Sequence, residues 1–137
     1  MSAINGIFER YGSAPLEASI AASLAALTDY GTDGNHQWIS GSIGLGHQLM
    51  TVFTEGQSDC LPLYDATTGL AITADVRLDS RRELYKALGI SDCEEQNLSN
   101  SQLILCAWQK WGRNCPHHLI GDYAFAIWDA RQQVLFC

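Results

Sequence analysis

The side chains of this chain that could carry thiol, redox or metal chemistry are five cysteines, Cys60, Cys93, Cys106, Cys115 and Cys137, and four histidines, His36, His47, His117 and His118. Their spacing speaks against most of that chemistry. The cysteines are odd in number and irregularly spaced, and no two form a CxxC pair. This opposes both a disulfide framework and a zinc site, so they read as reduced thiols. The histidines are scattered, and the adjacent pair His117 and His118 cannot turn both rings to one ion from a regular helix. All four read as structural or solvent-facing. The acidic stretch at Asp92, Glu94 and Glu95 carries no Ca²⁺ ligand spacing and reads as solvated surface. The nearest approach to a basic cluster is Arg77, Arg81 and Arg82, interrupted by acidic neighbours. With 15 Asp and Glu against 8 Lys and Arg, a net charge of −7, the chain lacks the footprint of a nucleic-acid or anionic-membrane binder.

The elements that must position any site are legible from periodicity. A chain of 137 residues, 47% hydrophobic and 17% charged, can bury a core as one domain or as part of a larger one. No apolar stretch reaches the roughly 18 residues of a membrane span. The opening MSAINGIFER breaks the apolar run that a secretory signal requires, so the expectation is a cytoplasmic protein. Ile4, Ile7 and Phe8 predict a first strand beginning at residue 2 or 3. Ser13-Ala14-Pro15 starts a helix whose stripe is Leu16, Ile20, Leu24 and Leu27, closed by Gly31. A turn over 31–35 leads to one or two strands with bends, carrying Trp38, Ile39, Ile43 and Leu45 among Gly41, Gly44 and Gly46. Residues 61–76 predict a hairpin around Ala66-Thr67-Thr68-Gly69. Ser80 with Glu83 predicts a capping box for a helix ending at Gly89, 91–98 an exposed loop, and Ser99 with Gln102 a second box. The helix after that box carries Leu103, Ile104, Ala107, Trp108 and Trp111 on one face and ends at Gly112, and the two indoles read as core. Cys115-Pro116 starts a short helix ending near Gly121, before a hairpin of 123–128 and 134–136.

In 123–128 both the odd positions, Tyr, Phe and Ile, and the even ones, Ala, Ala and Trp, are apolar, so the strand is expected to be covered on two sides. The arrangement that follows is a layered α/β structure, two sheets face to face with helices on their outer faces. The apolar strand running to Cys137 without a polar cap leads to the expectation of a truncated domain whose natural polypeptide continues.

The opening MSAINGIF resembles the MCGIAGIF start of the class II glutamine amidotransferases. The stretches GLGHQLMTV, LAITADVRLDSRRELYKALG and SNSQLILCAWQKWG…HHLIGDYAFAIWDARQQVLFC are similar, in order, to blocks of the asparagine synthetase N-terminal domain. The resemblance covers nearly all of 1–137. It implies an N-terminal-nucleophile hydrolase fold, a four-layer αββα sandwich in the mixed α/β (α+β) class. It also implies a domain that hydrolyses glutamine to ammonia for a C-terminal ATP-dependent synthetase domain, which is absent here.

The family mechanism uses a thiol at the residue exposed once the initiator Met is removed, with the free α-amine as base. The resemblance places Ser2 there, either as a vestigial nucleophile or simply as a small residue that permits Met removal. It places Leu49 where an arginine pairs with the glutamine carboxylate, a bidentate contact an isobutyl group cannot make. Thr73, Ala74 and Asp75 stand in the Asn-Gly-Glu block: Ala74 keeps a main-chain N–H for the oxyanion, and Thr73 lacks the amide donor. Asp75 keeps the charge of the block, or caps the turn before the helix, or pairs with Arg77. Asn100 stands where an acidic residue holds the substrate ammonium.

The expectation is therefore a glutaminase-like domain without glutaminase activity, a structural partner of a synthetase domain. It resembles the cysteine-less branch of β-lactam synthetases and lasso-peptide cyclases, whose RLDSRREL-like stretch it shares. No cofactor or metal is expected in 1–137, and ATP and Mg²⁺ belong to the missing domain. A homodimer stays open, and no nucleic acid or membrane partner is expected. Two alternatives are an active N-terminal-serine amidohydrolase and a non-catalytic module binding a small uncharged ligand.

Overall fold

The computed structural model describes residues 2–11, 16–50, 60–91 and 98–137. Strand β1 (Ala3–Phe8) is followed by helix α1 (Leu16–Ala26), a 3₁₀ turn at Thr28–Tyr30, and strands β2 (Gly34–Ser40) and β3 (Ile43–Leu49). Then come β4 (Leu63–Asp65), β5 (Leu70–Leu78), helices α2 (Arg81–Leu88) and α3 (Asn100–Trp111), a 3₁₀ segment (Gly112–His118), and strands β6 (Gly121–Asp129) and β7 (Val134–Phe136). No helix among the described residues is long and apolar enough to cross a membrane.

Strand alternation sorts the apolar residues into three layers of core. Sheet A has the order β1-β3-β2 and sheet B the order β4-β5-β6-β7, both antiparallel. Leu16, Ile20 and Leu24 of α1 pack with Ile7 and Ile39 on the outer face of sheet A. Between the sheets lie Ile43, Leu45, Ala71, Ala126 and Trp128, with Phe8 and Trp38 at their margin. The largest core, including Ile72, Leu84, Leu103, Ile104, Trp108 and Ile127, joins sheet B to α2 and α3. The layers run helix, sheet, sheet, helix, as the patterning requires.

Several local expectations are corrected. Gly44 and Gly46 lie inside an unbroken β3 and mark close approach, not bends: a Cβ on Gly44 would come within 2.6 Å of Ile20, and one on Gly46 within 2.0 Å of the Asn5 amide. The second strand already begins at Gly34, inside the expected turn. The 3₁₀ segment begins at Gly112, before Cys115-Pro116. Strand β6 is covered on both faces only from Phe125 onward, and Ala124 is exposed. The Ser80 box is not formed, because Ser80 adopts a left-handed conformation (φ 50°, ψ 37°) and its side chain makes no cap hydrogen bond. The Ser99 box forms in full: Ser99 Oγ accepts from the Gln102 amide at 3.2 Å, and Gln102 Oε1 accepts from the Ser99 amide at 2.8 Å. The start signal at Ser13–Pro15 and most of the loop over 91–98 lie outside the described residues.

Candidate functional site

Strand β5 organises the site, and its two edges differ. Its odd-numbered residues turn their main-chain groups toward β6, a pattern continued at the ends by Asp79 N–H to the Ile120 carbonyl (2.8 Å) and Ala130 N–H to the Gly69 carbonyl (3.0 Å). Its even-numbered residues turn theirs the other way, where β4 pairs only as far as Ile72. The Ala74 N–H therefore points to an edge that β4 no longer covers, while its side chain is buried against the helix-side core. One step on, the Val76 carbonyl at the same edge accepts from Asn100 Nδ2 at 3.3 Å.

The inter-sheet face of β5 carries Ala71, Thr73 and Asp75 in sequence. Thr73 is fully buried, and a buried hydroxyl needs a partner: it donates to the Gly46 carbonyl at 3.1 Å and lies 3.4 Å from His47 Nδ1. Asp75 accepts from the main-chain nitrogen of Ser2 at 3.0 Å, bringing β1 across to sheet B. Ser2 Oγ accepts in turn from the Met50 amide at 3.1 Å, just beyond Leu49, which ends β3 in phase with Ile43, Leu45 and His47. The reading that Asp75 pairs with Arg77 or caps a turn is thus corrected. Asp75 lies within β5, and Arg77 pairs with Asp122 (2.6 Å) and Asp79 (3.5 Å).

Asn100, the first residue of α3, is held from both ends. Its Nδ2 reaches Val76, and its Oδ1 accepts from the Arg81 guanidinium. Arg81 also donates to the Leu98 carbonyl (2.6 Å) and the Tyr85 hydroxyl (3.0 Å). Ser2, Asp75 and Asn100, with Leu49 beside them, are thus gathered at one end of β5, and Thr73 lies deeper between the sheets. Residue reading did not place three contributors at the site: the Met50 amide, Arg81, and His47, whose structural reading, of the two alternatives given, fits its burial. His47 could have been found from its phase with Ile43 and Leu45. The reach of Arg81 to Asn100 has no local signal.

The thiols stand apart from this chemistry. Cys60, Cys106, Cys115 and Cys137 are free, and Cys93 lies outside the described residues. Burial pushes Cys115 up to about 11 and also raises Cys106 and Cys137, so these are neutral thiols at neutral pH and poor nucleophiles.

The family model of the glutamine amidotransferase domain matches residues 1–137, the whole chain. The chain belongs to that family. This amidotransferase domain is 26% identical over 125 residues to the amidase chry2 of Gibberella zeae, covering 85% of this chain and 17% of that protein. It is 26% identical over 112 residues to asparagine synthetase [glutamine-hydrolyzing] 3 of Bacillus subtilis, covering 80% of this chain and 18% of the other. A putative asparagine synthetase [glutamine-hydrolyzing] 2 of Methanocaldococcus jannaschii matches at 26% identity across 100% of this chain and 29% of its own length. The amidotransferase domain described here spans less than a third of each of these relatives. Its two antiparallel sheets with helices on their outer faces agree with the N-terminal-nucleophile hydrolase type of fold.

Proposed function

We propose that this domain belongs to the front of an asparagine-synthetase-like ligase and has no glutaminase activity of its own. In this reading Ser2 stands in place of the nucleophilic cysteine, as in the cysteine-less branch of the family, and the domain serves as a structural partner of a synthetase domain. One observation carries the proposal: the polar groups that glutamine cleavage would use are already engaged within the chain. Ser2 nitrogen is on Asp75, Ser2 Oγ is on the Met50 amide, and Asn100 Oδ1 is on Arg81. A hydroxyl is a weak nucleophile unless a base takes its proton, and that base is the α-amine in this family. The Asn100 carbonyl facing a guanidinium presents no net negative charge to a substrate ammonium. Leu49 offers nothing to its carboxylate. The Ala74 N–H remains as an oxyanion donor, but one donor without nucleophile, base and anchors does not make a working unit.

ATP and Mg²⁺ are assigned to the synthetase domain. Two arginines of the cluster Arg77, Arg81 and Arg82 are engaged within the chain: Arg77 with Asp122 and Asp79, and Arg81 with Asn100, Leu98 and Tyr85.

A second reading, an N-terminal-serine amidohydrolase acting on a less charged amide, is favoured by the Ala74 amide, which lies past the last β4 pair, and by the amidase among the relatives. The deciding measurement is ammonia release from glutamine and a panel of small neutral amides. The wild-type chain is expected to release none above background with any of them. Release that disappears in Ser2→Ala would replace the first reading with the second.

A further inference from the structure

The contact between Ser2 nitrogen and the Asp75 carboxylate, at 3.0 Å, links two segments 73 residues apart in sequence. Asp75 is half-buried, and among the described residues no Lys or Arg pairs with it, since Arg77 on the same strand turns to Asp122 and Asp79. Among the described residues, this partly buried carboxylate has the Ser2 nitrogen as its donor and no cationic side chain as counter-ion. The donor it does have is the nitrogen that becomes the chain's α-amine if Met1 is removed.

We propose that Asp75 is the counter-ion of a mature Ser2 α-ammonium, a positioning residue that fixes the residue leading into β1 and keeps its amine protonated. A methionine aminopeptidase hydrolyses the Met1–Ser2 peptide bond, consuming one water and releasing free methionine, and the small Ser2 side chain permits this. The nitrogen thereby changes from a neutral amide donor to an ammonium about 3 Å from a carboxylate. An opposite charge at that range favours the protonated form, so the amine titrates above its ordinary 7.7–8.0.

The other groups near Ser2 do not oppose this. On the inter-sheet face β3 contributes one titratable side chain, His47, which is engaged with Thr73. Strand β6 contributes Ala124, Ala126 and, one step on, Asp122, which is held by Arg77, and α1 lies across sheet A with an exposed Glu17. Because the folded-state value is raised, the stabilisation is fully present below the unfolded amine's value and is lost as pH rises through the folded one.

This inference deepens the preceding reading, because a protonated amine cannot take the Ser2 hydroxyl proton. The pairing is measured on the amine itself, so it fails or stands separately from ammonia release. The full chain is expressed from Met1, its N-terminus is read by mass spectrometry, and the Ser2 α-amine is titrated by competitive acetic anhydride labelling. The wild-type amine is expected to reach half-protonation above 8, and Asp75→Asn to return it to 7.7–8.0. High salt is expected to lower the wild-type value, a check that holds even if Asp75→Asn fails to fold. Retention of Met1, a wild-type value within 7.7–8.0, or a raised value indifferent to both Asp75→Asn and salt would overturn the proposal.

Discussion

The two faces of β5 are built under different demands. The face toward α2 and α3 carries Leu70, Ile72, Ala74 and Val76, apolar throughout and closed over by the largest core. The face toward sheet A begins at Ala71, passes through the buried hydroxyl of Thr73 and ends at the half-buried carboxylate of Asp75. The first face needs only volume and apolarity, which many sequences supply. The second changes from dry to polar within five residues, and each polar group on it needs a particular partner across the sheets: Gly46 and His47 of β3 for Thr73, and Ser2, just before β1, for Asp75. Architecture is held by the first face and chemistry is set by the second, so one can be kept while the other diverges.

The largest effect should come from the helix-side face. Ile72 is fully buried among Leu84, Leu103 and Ile127, and Ile72→Ala removes methylenes while leaving a cavity. The expected cost is about 2–5 kcal/mol in urea unfolding. On the other face, Thr73→Val keeps the shape and removes the hydroxyl bond to Gly46, and the expected cost is about 1 kcal/mol. Losing more from Thr73→Val than from Ile72→Ala would mean that the polar face, and not the core, holds the two sheets together.

This contrast also explains what could be read in advance. The apolar stripe of α1, the phase of β3 and the hairpin over 61–76 follow from local periodicity, and with them the layer order. Ser2, Leu49, Thr73, Ala74, Asp75 and Asn100 stand out only through resemblance to a family. Contacts such as Ser2 to Asp75 and Arg81 to Asn100 join residues far apart in sequence, and no spacing rule encodes them. The fate of Ala74, side chain in the core and amide past the last β4 pair, depends on where β4 stops, which the turn at 66–69 does not specify. Asn5 shows the converse: an amide whose buried Nδ2 and Oδ1 have no partner among the described residues, pressed over Gly46, where periodicity alone suggests an ordinary strand.

The smallest effect is expected where β5 hands over to α2, and it separates two helix starts with the same sequence pattern. Ser99, extended at φ −71° and ψ 168°, can direct its hydroxyl at the Gln102 amide; Ser80, left-handed at φ 50°, cannot direct its own at Glu83. The difference comes from β5, whose ladder to β6 runs on to the Asp79 amide at Ile120 and leaves one residue to reverse the chain into α2. Ser99→Ala should therefore cost about 1 kcal/mol. Ser80→Asn should instead stabilise by about 0.5–1 kcal/mol, because asparagine tolerates the left-handed region better than serine. Ser80→Ala supplies the contrast in the same thermal melts. A loss as large as that of Ser99→Ala would show that the Ser80 hydroxyl caps α2 after all, and that the strand does not dictate how the helix begins.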